Sequence, residues 1–313
     1  MIARKTTGFI KDSVTNFPNQ PFFAYVAPYV PHSPATPPPR YAHRFAGAKA
    51  PRTASFNEVD VGDKPAWVRN KARLTRSQID DIDDFYRKRL QTLLAVGDLV
   101  SDIIDTLTAT GQLDNTYIFF SSDNGFHQGQ HRLNSGKNTA YDEDIAVPLL
   151  VRGPGVPEGQ VVTEITANVD YASTWAAIAG VAVPSFVDGR SLLPFLRGAT
   201  PSAWRKALLL EHAGPSITLP SDDPLLEPPD AFDIQAVASG GAPIFAGLRT
   251  AENTYVEYDN GERELYNLAT DPAELDNAYS TANPALKTNL SQWLGSLRSA
   301  SGSTLRSAEA SPP

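Results

Sequence analysis

The sequence contains no cysteine. That absence removes disulfide bonds, thiolate metal ligands and cysteine nucleophiles together, and it leaves the redox compartment open. Long apolar runs are missing too: no stretch approaches the roughly 18 residues that a membrane-crossing helix needs. Residues 1–11 carry Arg4, Lys5 and Lys11 but lack the continuous apolar core and small-residue cleavage site of a signal peptide. Positive charge is scarce. Lys and Arg number 27 against 35 Asp and Glu, a net charge of −8, which argues against a nucleic acid held on a basic face. An acidic chain can still bind an anion, but only through a locally positive site or a metal. No internal repeat is visible.

What is present describes a soluble globular protein. The 313 residues are 41% hydrophobic and 20% charged, enough for a sizeable core in one large or two modest domains. The 26 prolines concentrate in loops, notably 28–39 and 220–229.

The chain is organised around residues 116–131 and Lys137. Tyr117-Ile118-Phe119-Phe120 is a short apolar, aromatic and β-branched run that reads as a fully buried strand. It gives way to Ser122-Asp123-Asn124-Gly125, so a carboxylate and an amide carbonyl stand together at a strand's carboxyl end. In open α/β sheets that edge is where ligands bind. Asp and Asn offer the oxygen ligands that a hard cation such as Ca²⁺ prefers. His127, His131 and Lys137 follow within a few residues and suit an anionic substrate held beside a metal. Asp-Asn-Gly is equally ordinary turn chemistry, and polar-loop His and Lys are often only solvated. The unbroken order of strand, Asp-Asn, Gly-x-His and Lys favours the metal–anion site.

Taken in order, the spacing predicts a helix over Lys5 to Asn16, then a second buried strand, Phe22 to Val26. The latter runs into Pro31-His32-Ser33-Pro34, where flanking prolines stiffen the loop that carries His32. Residues 40–76, with Arg40, Arg44, Arg52, Arg69 and Arg73 interspersed, read as a long surface excursion. A long helix starts at Ser77 with Ser77 and Asp80 as an approximate capping box, and Gly111 supplies its C-cap. Strand, helical crossover and strand imply parallel pairing. Ile145 to Val151 is another strand. Asp170 caps a short helix, and Phe186 to Pro194 is a loop. Short strands at 207–211, 245–250, 254–258 and 264–268, with Asn260-Gly261 as a hairpin turn, form a small antiparallel sheet. A helix from about Pro284 to Leu297 closes it, and the tail from Ser299 is frayed. The expected division is 1–200 as an α/β domain, 201–300 as a small α+β subdomain and 301–313 as a tail.

Several segments together resemble a known family. They are Ala27-Pro28 with Pro31-His32-Ser33-Pro34, residues 85–94 (Phe85 to Leu94), Asn115 to Phe119, Ser122-Asp123-Asn124-Gly125, Val147 to Gly155, Asp188 to Pro194, and Glu264 to Leu268 with Asp271-Pro272. In this order they are similar to the C-terminal two-thirds of sulfatases of the arylsulfatase type, within the alkaline-phosphatase superfamily, and most of all to N-acetylglucosamine-6-sulfatases. The resemblance implies an α/β fold with a largely parallel sheet flanked by helices, N-terminally truncated, plus the small C-terminal antiparallel sheet and its helix. It implies hydrolysis of sulfuric esters of sulfated sugars. Asp123 and Asn124 would be two Ca²⁺ ligands. His32 and Lys137 would hold the sulfate ester, Lys137 neutralising the leaving oxygen, and His127 and His131 would sit near the substrate. Full-length relatives are typically secreted, periplasmic or lysosomal.

The same family uses a formylglycine nucleophile made in a Cys/Ser-x-Pro-x-Arg motif, and an Asp-Asp pair on its first strand completes the calcium site. No Ser here is followed by x-Pro-x-Arg. Asp80-Asp81 and Asp83-Asp84 fall on a helix and Asp222-Asp223 in a loop, so none of them follows an N-terminal strand. The expectation is a chain unable to turn over a sulfate ester alone: a fragment of a longer sulfatase or one half of a split enzyme completed by a second chain. A non-catalytic binder of sulfated glycans, using His32, Lys137 and the Arg-rich segment 40–73, is the reading from another class.

Overall fold

A computed structural model of the chain describes residues 1–213 and 241–313. The proline-rich loop 220–229 and Asp222-Asp223 lie outside the described residues. In chain order the elements are α1 (Ile2–Asn16), α2 (Ala66–Arg69), α3 (Arg76–Ala109), β1 (Ile118–Ser121), α4 (Asp142–Ile145), β2 (Leu149–Arg152), α5 (Asp170–Ile178), α6 (Leu193–Leu196), β3 (Ala207–His212), β4 (Phe245–Thr250), β5 (Asn253–Tyr258), β6 (Arg263–Asn267), α7 (Pro284–Arg298) and α8 (Gly302–Ala310). Among the described residues no helix is long and apolar enough to cross a membrane. The chain forms two compact units. The first comprises Met1–Pro51, Thr75–Phe120 and Leu150–Pro154, the second Arg52–Leu74, Ser121–Leu149 and Gly155–Pro313.

In the first unit α1 packs on α3, and Ile10 of α1 and Ile82, Val96, Leu99 and Leu107 of α3 are buried. The capping box of α3 is Thr75 with Gln78, not Ser77 with Asp80. Gln78 N donates to Thr75 Oγ1 at 3.3 Å and Thr75 N donates to Gln78 Oε1 at 2.9 Å. Asp80 is occupied elsewhere, by an ion pair with Arg76 at 3.0 Å. Polar groups on α3 tie down the long loop before it. Ala50 N donates to Asp83 Oδ1 (3.0 Å), Gln91 Nε2 to Arg44 O (2.7 Å), and Arg89 Nη1 to Pro31 O (3.3 Å), next to His32. Strands β1 and β2 pair in a two-stranded sheet. Gly153 follows β2 because a Cβ there would lie 2.4 Å from the ring of Tyr117.

Two expectations fail here. Residues 22–26 are not in a strand of the described structure. Phe23 and Tyr25 are 62% and 75% exposed, whereas a strand covered on both faces would bury them. Nor is 40–76 a surface excursion throughout: 40–54 is mostly exposed, but the later part turns inward. Ala50, Ser55, Lys64 and Val68 are all buried, because their backbone and side-chain polar groups find partners inside the protein.

In the second unit β3, β4, β5 and β6 form the expected antiparallel sheet in sequence order, with Phe245 opposite Tyr258 and Tyr255 opposite Leu265. The β5–β6 turn closes at Asn260-Gly261, where Gly261 takes φ 89°. Side chains alternate across the sheet. Ala246, Leu248, Tyr255 and Leu265 meet Leu290, Trp293, Leu294 and Leu297 of α7, while Phe245, Val256 and Tyr258 meet Ala140, Ala242 and Trp67. The tail is not frayed. Ser301 and Thr304 cap α8, Leu305 joins the α7 core, and Glu309 pairs with Arg205 at 3.1 Å and Arg190 at 3.0 Å. Asp170 opens α5 without capping it through its side chain. Its fully buried carboxylate instead accepts Arg205 Nη1 (2.6 Å), Arg205 Nη2 (2.9 Å) and Arg190 N (2.8 Å). Within the expected loop 186–194, Leu193 already starts α6, with Pro194 in its first turn.

Candidate functional site

β1 ends at Ser121, whose hydroxyl lies 2.6 Å from Tyr171 OH and donates to Pro148 O at 2.8 Å. The turn that follows is built from its own polar groups. Ser122 Oγ donates to Asn124 O (2.9 Å) and Asn124 Nδ2 donates to Gly125 O (2.7 Å). This occupies the Asn124 amide nitrogen locally and leaves Oδ1 as the ligand-type oxygen. Asp123 is exposed, and its backbone carbonyl accepts Asn168 Nδ2 at 3.0 Å. Gly125 is required by space: a Cβ would come within 2.1 Å of Glu143 O.

That close approach belongs to a clamp made by α4. Asp144 O accepts Gly125 N (2.8 Å) and Glu143 O accepts Phe126 N (2.6 Å). The Asp144 carboxylate, almost fully buried, accepts His127 N (2.9 Å), Thr139 N (2.9 Å) and Thr139 Oγ1 (2.7 Å). Both of its oxygens also lie 2.9 Å from His127 Nδ1, so that nitrogen carries the proton and Nε2 is the acceptor in the neutral ring. His127 and Gly136 exchange backbone bonds of 2.9 and 3.0 Å. Lys137 therefore sits between Gly136, tied to His127, and Thr139, two residues on and tied to Asp144. Lys137 is half-buried, and its ammonium has no hydrogen-bond or ion-pair partner among the described residues.

His131 lies deeper, with 0% of its surface exposed. Nδ1 bonds Glu58 Oε2 at 2.8 Å, and the ring stacks on Tyr141 with centroids 3.9 Å apart. Nε2 stands 3.8 Å from Glu143 Oε2, an ion-pair distance beyond hydrogen-bond reach. Burial disfavours the imidazolium, but Glu143 and Glu58 outweigh it and raise the His131 pKa. Burial likewise pushes Glu143 up, and His131 with Ser55 brings it below the ordinary glutamate range. Beyond the ring a buried carboxylate, Glu264, accepts Tyr141 OH (2.8 Å), Tyr266 OH (2.6 Å) and Tyr258 OH (2.5 Å). Burial, with the Glu264 charge, holds these three phenols well above their usual range.

His32 belongs to the first unit. Its Nδ1 donates to Ser33 O at 3.0 Å, which leaves Nε2 as the basic nitrogen of the neutral ring, and Tyr29 lies 4.5 Å away by ring centroid. The structure thus gathers Asp123, Asn124, His127 and Lys137 on one clamped loop and seals His131 beneath carboxylates. The sequence reading missed Glu58, Glu143 and Asp144, which hold that loop. The acidic run Asp142-Glu143-Asp144 directly after the His-rich stretch was the available signal; Glu58 had none.

Ca²⁺ takes about six to eight oxygen ligands. Asp123 and Asn124 are hard oxygen donors, yet among the described residues no three His, Cys, Asp or Glu side chains converge on one point. The donor set present does not make a complete calcium site.

A family model for sulfatases matches residues 2–181. The chain is 39% identical over 308 residues to a human N-acetylglucosamine-6-sulfatase, covering 94% of this chain and 55% of that protein. It is 31% identical over 336 residues to an arylsulfatase of Volvox carteri, covering 95% and 50%. It spans about half the length of these curated relatives. Among solved structures, a protein in complex with its substrate D-glucosamine-2-N,6-O-disulfate superposes with TM-score 0.75 at 23% identity, over 95% of this chain and 68% of that one. A phosphonate monoester hydrolase from Silicibacter pomeroyi superposes with TM-score 0.69 at 27% identity, over 96% and 61%. These likenesses give the fold: α/β, of the alkaline-phosphatase-like kind.

Proposed function

The chain belongs to the sulfatase family, and from that premise we propose that it is the greater part of a sulfuric ester hydrolase acting on sulfated sugars of the N-acetylglucosamine-6-sulfate type. The observation that carries this reading is the α4 clamp, which fixes the Asp123-Asn124 turn and the Lys137 segment on one loop while leaving the Lys137 ammonium without a partner among the described residues. An unpaired, half-buried cation favours negative charge beside it. In this assignment Lys137 holds the sulfate ester and neutralises the oxygen that departs when the sulfur–oxygen bond breaks. Asp123 and Asn124 are part of a calcium site completed by other residues. His127, oriented by Asp144, borders the substrate. His131, sealed between Glu58 and Glu143, belongs to the frame rather than to substrate contact. β1 and β2 are taken as members of a larger, largely parallel sheet. The sugar is argued from the identity to N-acetylglucosamine-6-sulfatase and from the disulfated glucosamine bound by the structural relative.

Catalysis also needs a nucleophile, and these 313 residues contain neither Cys nor a Ser-x-Pro-x-Arg segment. We therefore assign turnover to a species in which that segment is present, in the same polypeptide or in a second one. The test is sulfate release from N-acetylglucosamine 6-sulfate by the protein isolated from its source, with its intact mass measured on the same sample. Release by a heavier species or a two-chain complex carrying the segment is the expected result. Release by a species of these residues alone, or none from one that carries the segment, overturns the assignment.

The rival reading, a non-catalytic binder of sulfated glycans, predicts binding that persists in EDTA. It relies on arginines that the structure engages elsewhere. Arg40 pairs with Asp98 (2.6 Å), Arg52 covers the Phe56 ring (4.0 Å), and Arg69 and Arg73 donate to the backbone oxygens of Lys64 (2.7 Å) and Asn57 (3.2 Å).

A further inference from the structure

Glu274 lies in the loop after β6 and has no place in the chemistry proposed above. It is 1% exposed, and its backbone takes φ 54°, a left-handed conformation that is unfavourable for a non-glycine residue. Such a residue persists only where its surroundings over-determine it, and the cause is then to be sought in what its side chain reaches. Glu274 Oε2 accepts Asp142 N, the first amide of α4, at 2.8 Å. Lys64, fully buried, fixes the same loop by donating to the backbone oxygens of Glu274 and, at 2.8 Å, Leu275. On the far side of Asp142, Arg249 of β4 holds its carboxylate at 3.0 Å.

We propose that Glu274 is a positioning residue for the candidate site: it fixes the start of α4, and α4 fixes both the Asp123-Asn124 turn and the Lys137 segment. The four-residue helix has little stability of its own. Its first residue, Asp142, is held from the loop after β6 and its third, Asp144, holds His127 and Thr139, so displacement at the start of the helix is passed along it. The inference rests on the functional reading only in calling that loop the site.

The arrangement also makes the clamp sensitive to acidity. Glu274 Oε1 has no hydrogen-bond partner among the described residues. The groups facing this region are Lys64 and Glu58 from the loop before α2, Asp142 and Glu143 from α4, Arg249 from β4, Thr254 from β5, Glu264 and Tyr266 from β6, and His131. Burial is the largest influence and raises the Glu274 carboxyl from 4.5 to about 7; Thr254 and the Asp142 amide oppose it, and the Asp142 charge adds to the rise. Closed, the clamp keeps a proton that an opened, solvated Glu274 releases above about 4.5. Its closure is therefore favoured at low pH, weakens as pH rises from 4.5 towards 7, and changes little beyond.

The test is residue-resolved amide hydrogen exchange on the full chain, without substrate, corrected for intrinsic exchange. The reporters are the α4-bound amides of Gly125, Phe126, His127 and Thr139, with Leu248 and Val256 of the sheet as controls. Protection at the reporters is expected to fall by up to about tenfold per pH unit between 5 and 7 and then level off. In Glu274→Gln, neutral at every pH and still able to accept from Asp142 N, that dependence should vanish. In Glu274→Ala the reporters should lose protection at every pH while the controls keep theirs. An unchanged pH profile in Glu274→Gln, or reporters and controls that move together in Glu274→Ala, overturns the proposal. No substrate enters the measurement, so a failed sulfatase assay leaves it standing, and the reverse holds too.

Discussion

Lys137 and Arg205 are both intramolecular cations of the second unit, and their surroundings separate their roles. Arg205 is fully buried against Asp170 and Glu309, whereas Lys137 has no partner among the described residues. Removing one member of a buried pair strands the other charge, so Asp170→Asn is expected to lower unfolding free energy by about 3–5 kcal/mol in urea titration. Lys137→Ala should shift it by no more than about 0.5 kcal/mol. In the species competent for turnover, the same change should cut sulfate release at least a hundredfold, about 2.7 kcal/mol of transition-state stabilisation. At this scale the sequence made about half of the candidate site legible. Asp123, Asn124, His127 and Lys137 are polar residues bunched after an apolar strand, a pattern visible locally. The carboxylates that hold them are not local: Glu58 meets His131 across 73 residues of chain, and no spacing rule connects the two.

Elements were legible where a periodic apolar stripe and a turn signal coincide. α3, the four strands of the antiparallel sheet, the Asn260-Gly261 turn and α7 all have both. α8 has neither: Gly302-Ser303-Thr304 is a poor helix start by propensity, and one leucine gives no stripe. It folds because Leu305 enters the α7 core and Glu309 reaches two arginines. Leu305→Ala should accordingly cost about 2–3 kcal/mol in urea titration, a large effect for so short a helix. The run 22–26 shows the converse. Its composition is that of a strand, but strand formation needs neighbours that cover its faces, and Phe23 and Tyr25 stand exposed.

The whole molecule concentrates ionisable groups in its interior. The raised pKa of Glu274 gives stability that is present below about 4.5 and lost as pH rises to about 7. His131, also raised, adds stability present below 6.5 and lost as pH passes its higher folded value. Glu143, lowered, acts oppositely, its contribution vanishing only as pH falls below the ordinary glutamate range. Urea titrations should find the protein more stable at pH 5.5 than at pH 8, and Glu274→Gln should flatten much of that slope. The other consequence of the buried charges concerns synthesis. Arg190 and Glu309 are 119 residues apart, which a ribosome adding about 5–20 residues per second covers in roughly 6 to 24 s. Through most of that interval the guanidiniums of Arg190 and Arg205 have been made and the carboxylate they share has not. The pairing of α8 is thus a late event in the life of the nascent chain, and the interval before it is when a chaperone has most to hold.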